Sequence, residues 1–366
     1  MIESDSIRGQ VTLWGTVVAV QANFYQVRLD NGIVTITHLS PELWLCTRRA
    51  RLKKIGQQVM VGDRVRIEEP DWQNRRGAIA EVAERQSQME RPPIVNVDQV
   101  LLVFALAEPT LDPWQLSRFL VKAETVGLPL TLVLNKQDLM CATEIDAWRS
   151  RLQGWGYSPL FVSVDEAQGL EAVRDCLVDR ITVLAGPSGV GKSSLIRRLL
   201  PHLESVRVGR VSGKLGRGRH TTRHVELFEL PDGGFLADSP GFNQPDLNCA
   251  PEVLIDCFPE RPTAPCEYAD CWHQDEPNCG VRGGWERYAH YLQFLDVVIA
   301  AQTTRQDRPD EEASLKLKMG TSGTKEYEPK LATKKYRRTS RRRKHQDWQS
   351  WENQSLEELT AELDID

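Results

Sequence analysis

Gly186-Pro187-Ser188-Gly189-Val190-Gly191-Lys192-Ser193-Ser194 carries the spacing Gly-x4-Gly-Lys-Ser. In such a turn consecutive backbone N–H groups converge on one point, and a helix opening at Lys192 adds the partial positive charge of its N-terminus. The chemistry is phosphate binding. Lys192 brings a full charge to the β and γ positions of a nucleotide, and the Ser193 hydroxyl is a ligand for Mg²⁺. This reading needs an apolar strand before the loop, which Ile181 to Ala185 supplies, and a helix after it, which Lys192 to Leu200 supplies. About fifty residues on, Asp238-Ser239-Pro240-Gly241 ends a second apolar run, Gly234 to Ala237. There Asp238 is placed to hold Mg²⁺ through water, and the Gly241 amide to meet the γ-phosphate.

Asn135-Lys136-Gln137-Asp138, after the apolar run Leu130 to Leu134, supplies a base-reading element. A carboxylate only accepts hydrogen bonds, so Asp138 can take two from the guanine N1–H and exocyclic amine, a pairing adenine cannot offer. Asn135 would brace the loop and Lys136 lie along the base. Ser163-Val164, after a strand at Leu160 to Val164, falls where such domains place a short element whose backbone meets the base, although Val departs from the usual Ala. The order is unusual. Ordinary GTPases begin with the phosphate loop, whereas here the base-reading element precedes it, so the G domain reads as circularly permuted. An α/β domain tolerates this because its termini lie close together at the surface.

Between the phosphate loop and Asp238 runs Gly213-Lys214-Leu215-Gly216-Arg217-Gly218-Arg219-His220-Thr221-Thr222, read as a mobile first switch. Either Thr221 or Thr222 would cap Mg²⁺. Phe242 stands where many GTPases have the Gln that orients water. His220 is the candidate for that work, the alternative being a solvated loop histidine.

Cys266-x4-Cys271-x-His273-x5-Cys279 places three thiols and an imidazole within fourteen residues. Four protein donors suit one structural Zn²⁺ per chain, since a catalytic zinc keeps a position open. Cys46, Cys141, Cys176 and Cys249 are read as ordinary buried thiols, and Cys257 lies outside the spacing. Reduced thiols, no apolar run of membrane-spanning length and no signal-peptide pattern give the expectation of a soluble cytoplasmic protein. The formal net charge is −5, but the segment 330–345 holds nine Lys or Arg and no acid, leaving 37 basic against 51 acidic residues elsewhere. The chain is acidic with one basic arm, whose alternatives are phosphate binding and a terminus that folds back on Glu357, Glu358 and Glu362.

These residues need a scaffold. Val11 to Trp14, Phe24 to Leu29, Ile33 to Ile36 beyond an Asn31-Gly32 hairpin turn, Asp63 to Ile67 and Gly77 to Val82 read as five strands of an OB barrel. Arg48, Arg49, Arg51, Lys53 and Lys54 lie in a loop between them, which is either an RNA-binding face or a solvated surface. From Val97 strands and helices alternate, including a helix from Pro113 to Val126 capped by Asp112, and predict a mostly parallel sheet. After Gly241 strands stop and a helical, Cys-bearing segment follows. The expected domains are an OB-fold RNA-binding domain (1–90), the permuted GTPase domain (91–242), a helical zinc-binding domain (243–302) and a flexible charged tail (303–366).

Barrel, permuted G domain and C-terminal zinc module together resemble the small-subunit-dependent GTPase family called RsgA, YjeQ or YloQ, over residues 9 to 300. The motifs Asn135 to Asp138, Gly186 to Ser194, Gly218 to Thr222, Asp238 to Phe242 and Cys266 to Cys279 carry the resemblance, with Ser239 where Thr is common. It implies a monomeric late assembly factor that binds the 30S subunit and its 16S rRNA, hydrolyses GTP with Mg²⁺ faster when bound, and leaves after hydrolysis. Two alternatives are an RNA- or ribosome-binding adaptor that keeps GTP as a structural ligand, and a permuted GTPase of the large-subunit type.

Overall fold

The computed structural model describes residues 13–30, 43–90, 92–201, 225–238, 246–247, 249–268 and 270–306, and the backbone of two strands at 315–319 and 325–329. The Asn31-Gly32 turn, the strand 33–36 and the basic run 330–345 lie outside the described residues. The chain divides into two compact units, Met1–Gln302 and Thr303–Asp366.

Five strands close the expected N-terminal barrel: β1 (Leu13–Gln21), β2 (Phe24–Leu29), β3 (Leu43–Arg48), β4 (Arg64–Asp71) and β5 (Arg76–Val82), in the order β1-β2-β3-β5-β4. Period-two burial fills it with Leu13, Val17, Tyr25, Val27, Trp44, Cys46, Val65, Ile67 and Ile79. β1 is longer than its sequence suggests because its register with β2 slips between Val17 and Ala19. That bulge breaks the alternation in Val17-Val18-Ala19-Val20, and it turns Val18 out of the barrel into the core of the neighbouring sheet. The stretch expected as a basic loop is instead partly helical, α1 (Ala50–Lys54), anchored by buried Leu52. Arg49 is already paired with Glu68 at 3.0 Å and Glu69 at 2.8 Å.

After a short antiparallel pair, β6 (Gln88–Met89) and β7 (Ile94–Val95), the second layer system is a six-stranded sheet, order β10-β9-β8-β11-β13-β12, built from β8 (Gln99–Ala105), β9 (Leu130–Asn135), β10 (Leu160–Phe161), β11 (Ile181–Ala185), β12 (Leu227–Glu229) and β13 (Phe235–Asp238). All pairs are parallel except β12 with β13 at the edge. Every residue of β8 is buried, as a central parallel strand covered on both faces requires. Its alternate residues divide between two cores. Val100, Leu102 and Phe104 meet α2 (Pro113–Glu124) and α3 (Ala142–Gly154); Leu101, Val103 and Ala105 meet α4 (Leu170–Leu177) and α5 (Lys192–Leu199). Asp112 caps α2 as expected, accepting from the Trp114 and Gln115 amides at 3.1 Å.

The barrel is fastened to the edge strand of this sheet. Ala19, beside the bulge, bridges Glu226, and nearly buried Arg28 forks Glu229 at 2.5 and 2.8 Å. Against α2 packs the C-terminal module, α6 (Pro251–Leu254), a short 3₁₀ turn and α7 (Tyr288–Gln306), whose Leu254, Phe258, Tyr291, Phe294 and Val298 form a core with Val121. Strands do not stop there: β14 (Leu315–Met319) and β15 (Lys325–Pro329) form an antiparallel hairpin within the segment expected as tail. The alternation Leu-Lys-Leu-Lys-Met is the period-two signal for it.

Fully buried Arg287 joins the module to the sheet domain. Its guanidinium forks Glu260 at 2.5 Å and lies 4.8 Å from the Trp155 ring centre and 4.9 Å from that of Phe258. Removing the carboxylate would strand a charge among aromatic rings. Glu260→Leu should therefore cost about 3–5 kcal/mol in urea unfolding, and the double variant Glu260→Leu/Arg287→Met should cost less than this single change. A single variant within 1 kcal/mol of the parent, by about the noise of such data, would contradict this account of the junction.

Candidate nucleotide site and metal centre

In the doubly wound sheet, the chain moves outward from β8 to β9 and β10, then returns to β11 on the other side of β8. Ligands of such sheets bind at the carboxyl ends of the strands beside this reversal. That is where the motifs meet. β11 ends at Ala185, immediately before Gly186; β9 ends on Asn135; and Ser163 follows β10.

Two glycines make the phosphate loop possible. Gly186 has φ +136°, and a Cβ there would lie 2.1 Å from the Val103 carbonyl oxygen; Gly191 has φ +96°, and its Cβ would lie 2.3 Å from Asn135 Nδ2. Lys192 opens α5, and its ammonium donates to the Gly186 and Pro187 carbonyls at 2.8 and 2.5 Å, across the mouth of the loop. Ser188 and Gly189 are exposed at that mouth, Pro187 and Val190 are buried beneath it, and Ser193 and Ser194 are half-buried on the first turn of the helix. Asp238 ends β13, with its backbone in register beside Leu184 of β11.

Asn135 is 3% exposed and holds the two halves of the site together. Its Nδ2 donates to the Val190 carbonyl at 2.9 Å, while its Oδ1 accepts from the Val164 amide at 3.1 Å. Lys136 takes the left-handed conformation, φ +63°, and its ammonium donates to the Glu108 carbonyl. The turn that follows, Gln137–Leu139, presents Asp138 exposed to solvent, and the Gln137 amide donates to the Val162 carbonyl at 3.1 Å. Ser163 exchanges backbone hydrogen bonds with Gln168 at 3.0 and 2.9 Å, and its hydroxyl accepts from the Glu166 amide at 3.1 Å. Glu108 and Gln168 escaped the sequence reading because they act through main-chain atoms that any residue could supply. His220, Thr221, Thr222 and Gly241 lie outside the described residues.

Cys266, Cys271, His273 and Cys279 converge, their ligand atoms all within 4.8 Å of one another. Cys266 Sγ lies 3.8 Å from Cys279 Sγ and 3.5 Å from His273 Nδ1, which is 3.4 Å from Cys279 Sγ. A tetrahedron with metal–sulfur bonds of about 2.3 Å and metal–nitrogen bonds of about 2.05 Å has S···S edges of about 3.8 Å and S···N edges of about 3.6 Å. The cluster therefore has the size of a site that could hold a metal ion. Burial keeps the His273 imidazole below its ordinary pKa, in the neutral form a ligand needs. Burial, with the neighbouring Cys279 and Cys266 thiols, pushes Cys271 up to about 12, a cost that a cation among the sulfurs would relieve. The loop is braced from outside by Tyr288, whose hydroxyl donates to the His273 carbonyl at 2.6 Å, and by Tyr291, which donates to the Trp272 carbonyl at 2.7 Å. Of the four thiols expected to be buried, Cys46 is, Cys176 and Cys249 are half-buried, and Cys141 is exposed, because it occupies the cap position of α3.

No helix among the described residues is long and apolar enough to cross a membrane. A family model described as "RsgA GTPase" matches residues 82–248. The protein "Small ribosomal subunit biogenesis GTPase RsgA" of Microcystis aeruginosa is 58% identical over 351 residues, covering 95% of this chain and 96% of its own. Among solved structures, YjeQ from Thermotoga maritima superposes with a TM-score of 0.64 at 29% identity, covering 79% of this chain and 99% of its own. YloQ, described as a circularly permuted GTPase, superposes with a TM-score of 0.65 at 27% identity, covering 81% and 98%. Matched over almost its whole length by such relatives, the chain belongs to the RsgA family of circularly permuted GTPases, which hydrolyse GTP.

Proposed function

We propose that the protein is a Mg²⁺-dependent, guanine-specific GTPase of the cytoplasm that acts late in assembly of the small ribosomal subunit. Binding to the 30S subunit and its 16S rRNA raises its turnover, and hydrolysis is coupled to release. The observation that carries the nucleotide half is the Asn135 amide, which ties the phosphate loop to the loops around Asp138 and Ser163. The subunit half follows from the relatives' name and from their match to this chain over its length.

In this reading the backbone of Gly186 to Ser194 and the Lys192 ammonium hold the phosphates, and Asp138 selects guanine. Bound Mg²⁺ would neutralise charge on the β and γ oxygens, with Ser193, Asp238 and Thr221 or Thr222 as its protein partners. His220 orients the attacking water in the absence of a Gln after Gly241, whose amide meets the γ-phosphate. The barrel is the rRNA-binding domain. The Cys266, Cys271, His273 and Cys279 set holds one structural Zn²⁺, which keeps its loop folded against Tyr288 and Tyr291.

GTP turnover measured with and without purified small subunits tests the function. Acceleration of at least about tenfold, a barrier change of roughly 1.4 kcal/mol, is expected. An adaptor that keeps GTP as a structural ligand would give no turnover in either condition, and large-subunit stimulation would transfer the protein to the other permuted class.

The metal has its own test. Elemental analysis should find about one zinc per chain, and Cys271→Ser should release it and expose the 266–279 loop to protease, while GTP binding at the distant sheet end survives. A fully folded native protein without metal would overturn the zinc reading.

A further inference from the structure

Helix α5 carries two arginines in its last turn, Arg197 and Arg198, both exposed. Arg198 reaches back across the sheet end to the base-side loop. Its Nε donates to the Val164 carbonyl at 3.3 Å and its Nη2 to the Asp165 carbonyl at 3.2 Å. Val164 is thereby held at both of its main-chain polar groups, its N–H by Asn135 and its C=O by Arg198. The same Asn135 side chain grips Val190 in the phosphate loop, and that loop runs directly into α5. The connections close a ring: Val190, Asn135, Val164, Arg198 and the helix that returns to the phosphate loop.

We propose that Arg198 is a positioning residue for guanine recognition, holding the 163–168 loop at a fixed distance from the phosphate site. The inference rests on the guanine reading of this site given above. Lys192 and Arg198 stand six residues apart on one rigid helix, about 9 Å along its axis. Phosphate grip and base-loop placement are therefore set by the same element. The loop's internal bonds, Ser163 with Gln168 and Glu166, shape it but do not fasten it to the phosphate side. Asn135 does so from the buried face and Arg198 from the exposed face. A loop fixed before the nucleotide arrives loses less freedom on binding, and this benefit applies only to a ligand whose base the loop recognises, which is guanine.

The test is titration of the full chain with GTP, ATP and inorganic triphosphate, for the parent and for Arg198→Ala, Arg198→Lys and Arg197→Ala. For Arg198→Ala, GTP affinity should fall about fivefold to tenfold. Triphosphate and ATP affinities should stay level, so the preference for GTP over ATP narrows by the same factor. Arg198→Lys, which keeps a donor but loses the fork, should recover part of the loss, and Arg197→Ala should match the parent. Unchanged GTP affinity and preference in Arg198→Ala would overturn the proposal, as would an equal loss for GTP and triphosphate, which would mark a generally weakened helix. A parent that does not prefer GTP to ATP would overturn the guanine reading itself, and this inference with it.

Discussion

One carboxamide, that of Asn135, decides whether this sheet end is a single site or three neighbouring loops. A side-chain amide carries a donor and an acceptor in fixed, divergent directions, and here it uses both while almost wholly buried. The donor end meets the phosphate loop and the acceptor end meets the base-side loop. Gly191 follows from this arrangement, because any Cβ at that position would strike the Asn135 nitrogen. β8 stands between β9 and β11, and the Asn135 side chain spans it to join the ends of the two motif-bearing strands. Permutation of the chain leaves this arrangement intact, because it changes which element comes first and not which strands are neighbours.

The other two parts of the unit spanning residues 1–302 are attached by different physics. The barrel docks through a bulge that sends Val18 into the sheet domain's core and through the Arg28–Glu229 fork, both directed at or near the antiparallel edge strand β12. The C-terminal module docks through a core that takes in Val121 of α2 and through Arg287, whose guanidinium, paired with Glu260 of the same module, lies over the Trp155 ring of the sheet domain. Such a pair adds little net stability compared with apolar residues of the same volume, but it fixes where the guanidinium meets that ring. The Cys3His loop in turn leans on α7 through Tyr288 and Tyr291, so whatever holds the loop folded also fixes the surface next to the sheet domain.

The sequence was most readable where chemistry restricts residue type. The Gly-x4-Gly-Lys-Ser spacing and the Asn-Lys-x-Asp element each stand on the elements expected of them, whereas the Cys-x4-Cys-x-His-x5-Cys residues converge on an irregular loop before α7 and not on a helix. The parallel sheet and the Asp112 cap were equally legible, through unbroken apolar runs and a cap residue before Pro113. Period-two reasoning failed at β1, because a bulge inserts a residue and erases the alternation. At Leu315–Met319 the same period is present but masked, because charged residues between apolar ones resemble a solvated tail. Arg198, Arg287 and Glu260 carried no signal at all. Their partners are carbonyls, rings or residues far along the chain, and only the fold brings them together.

The claim that Asn135 unites the site is tested most directly by measuring GTP and inorganic triphosphate binding to Asn135→Ala. If the side chain served the base alone, only GTP binding would suffer. The account predicts that both ligands bind more weakly, by about tenfold or more, because the phosphate loop loses the donor that meets its Val190 carbonyl. Triphosphate affinity equal to that of the parent would contradict it.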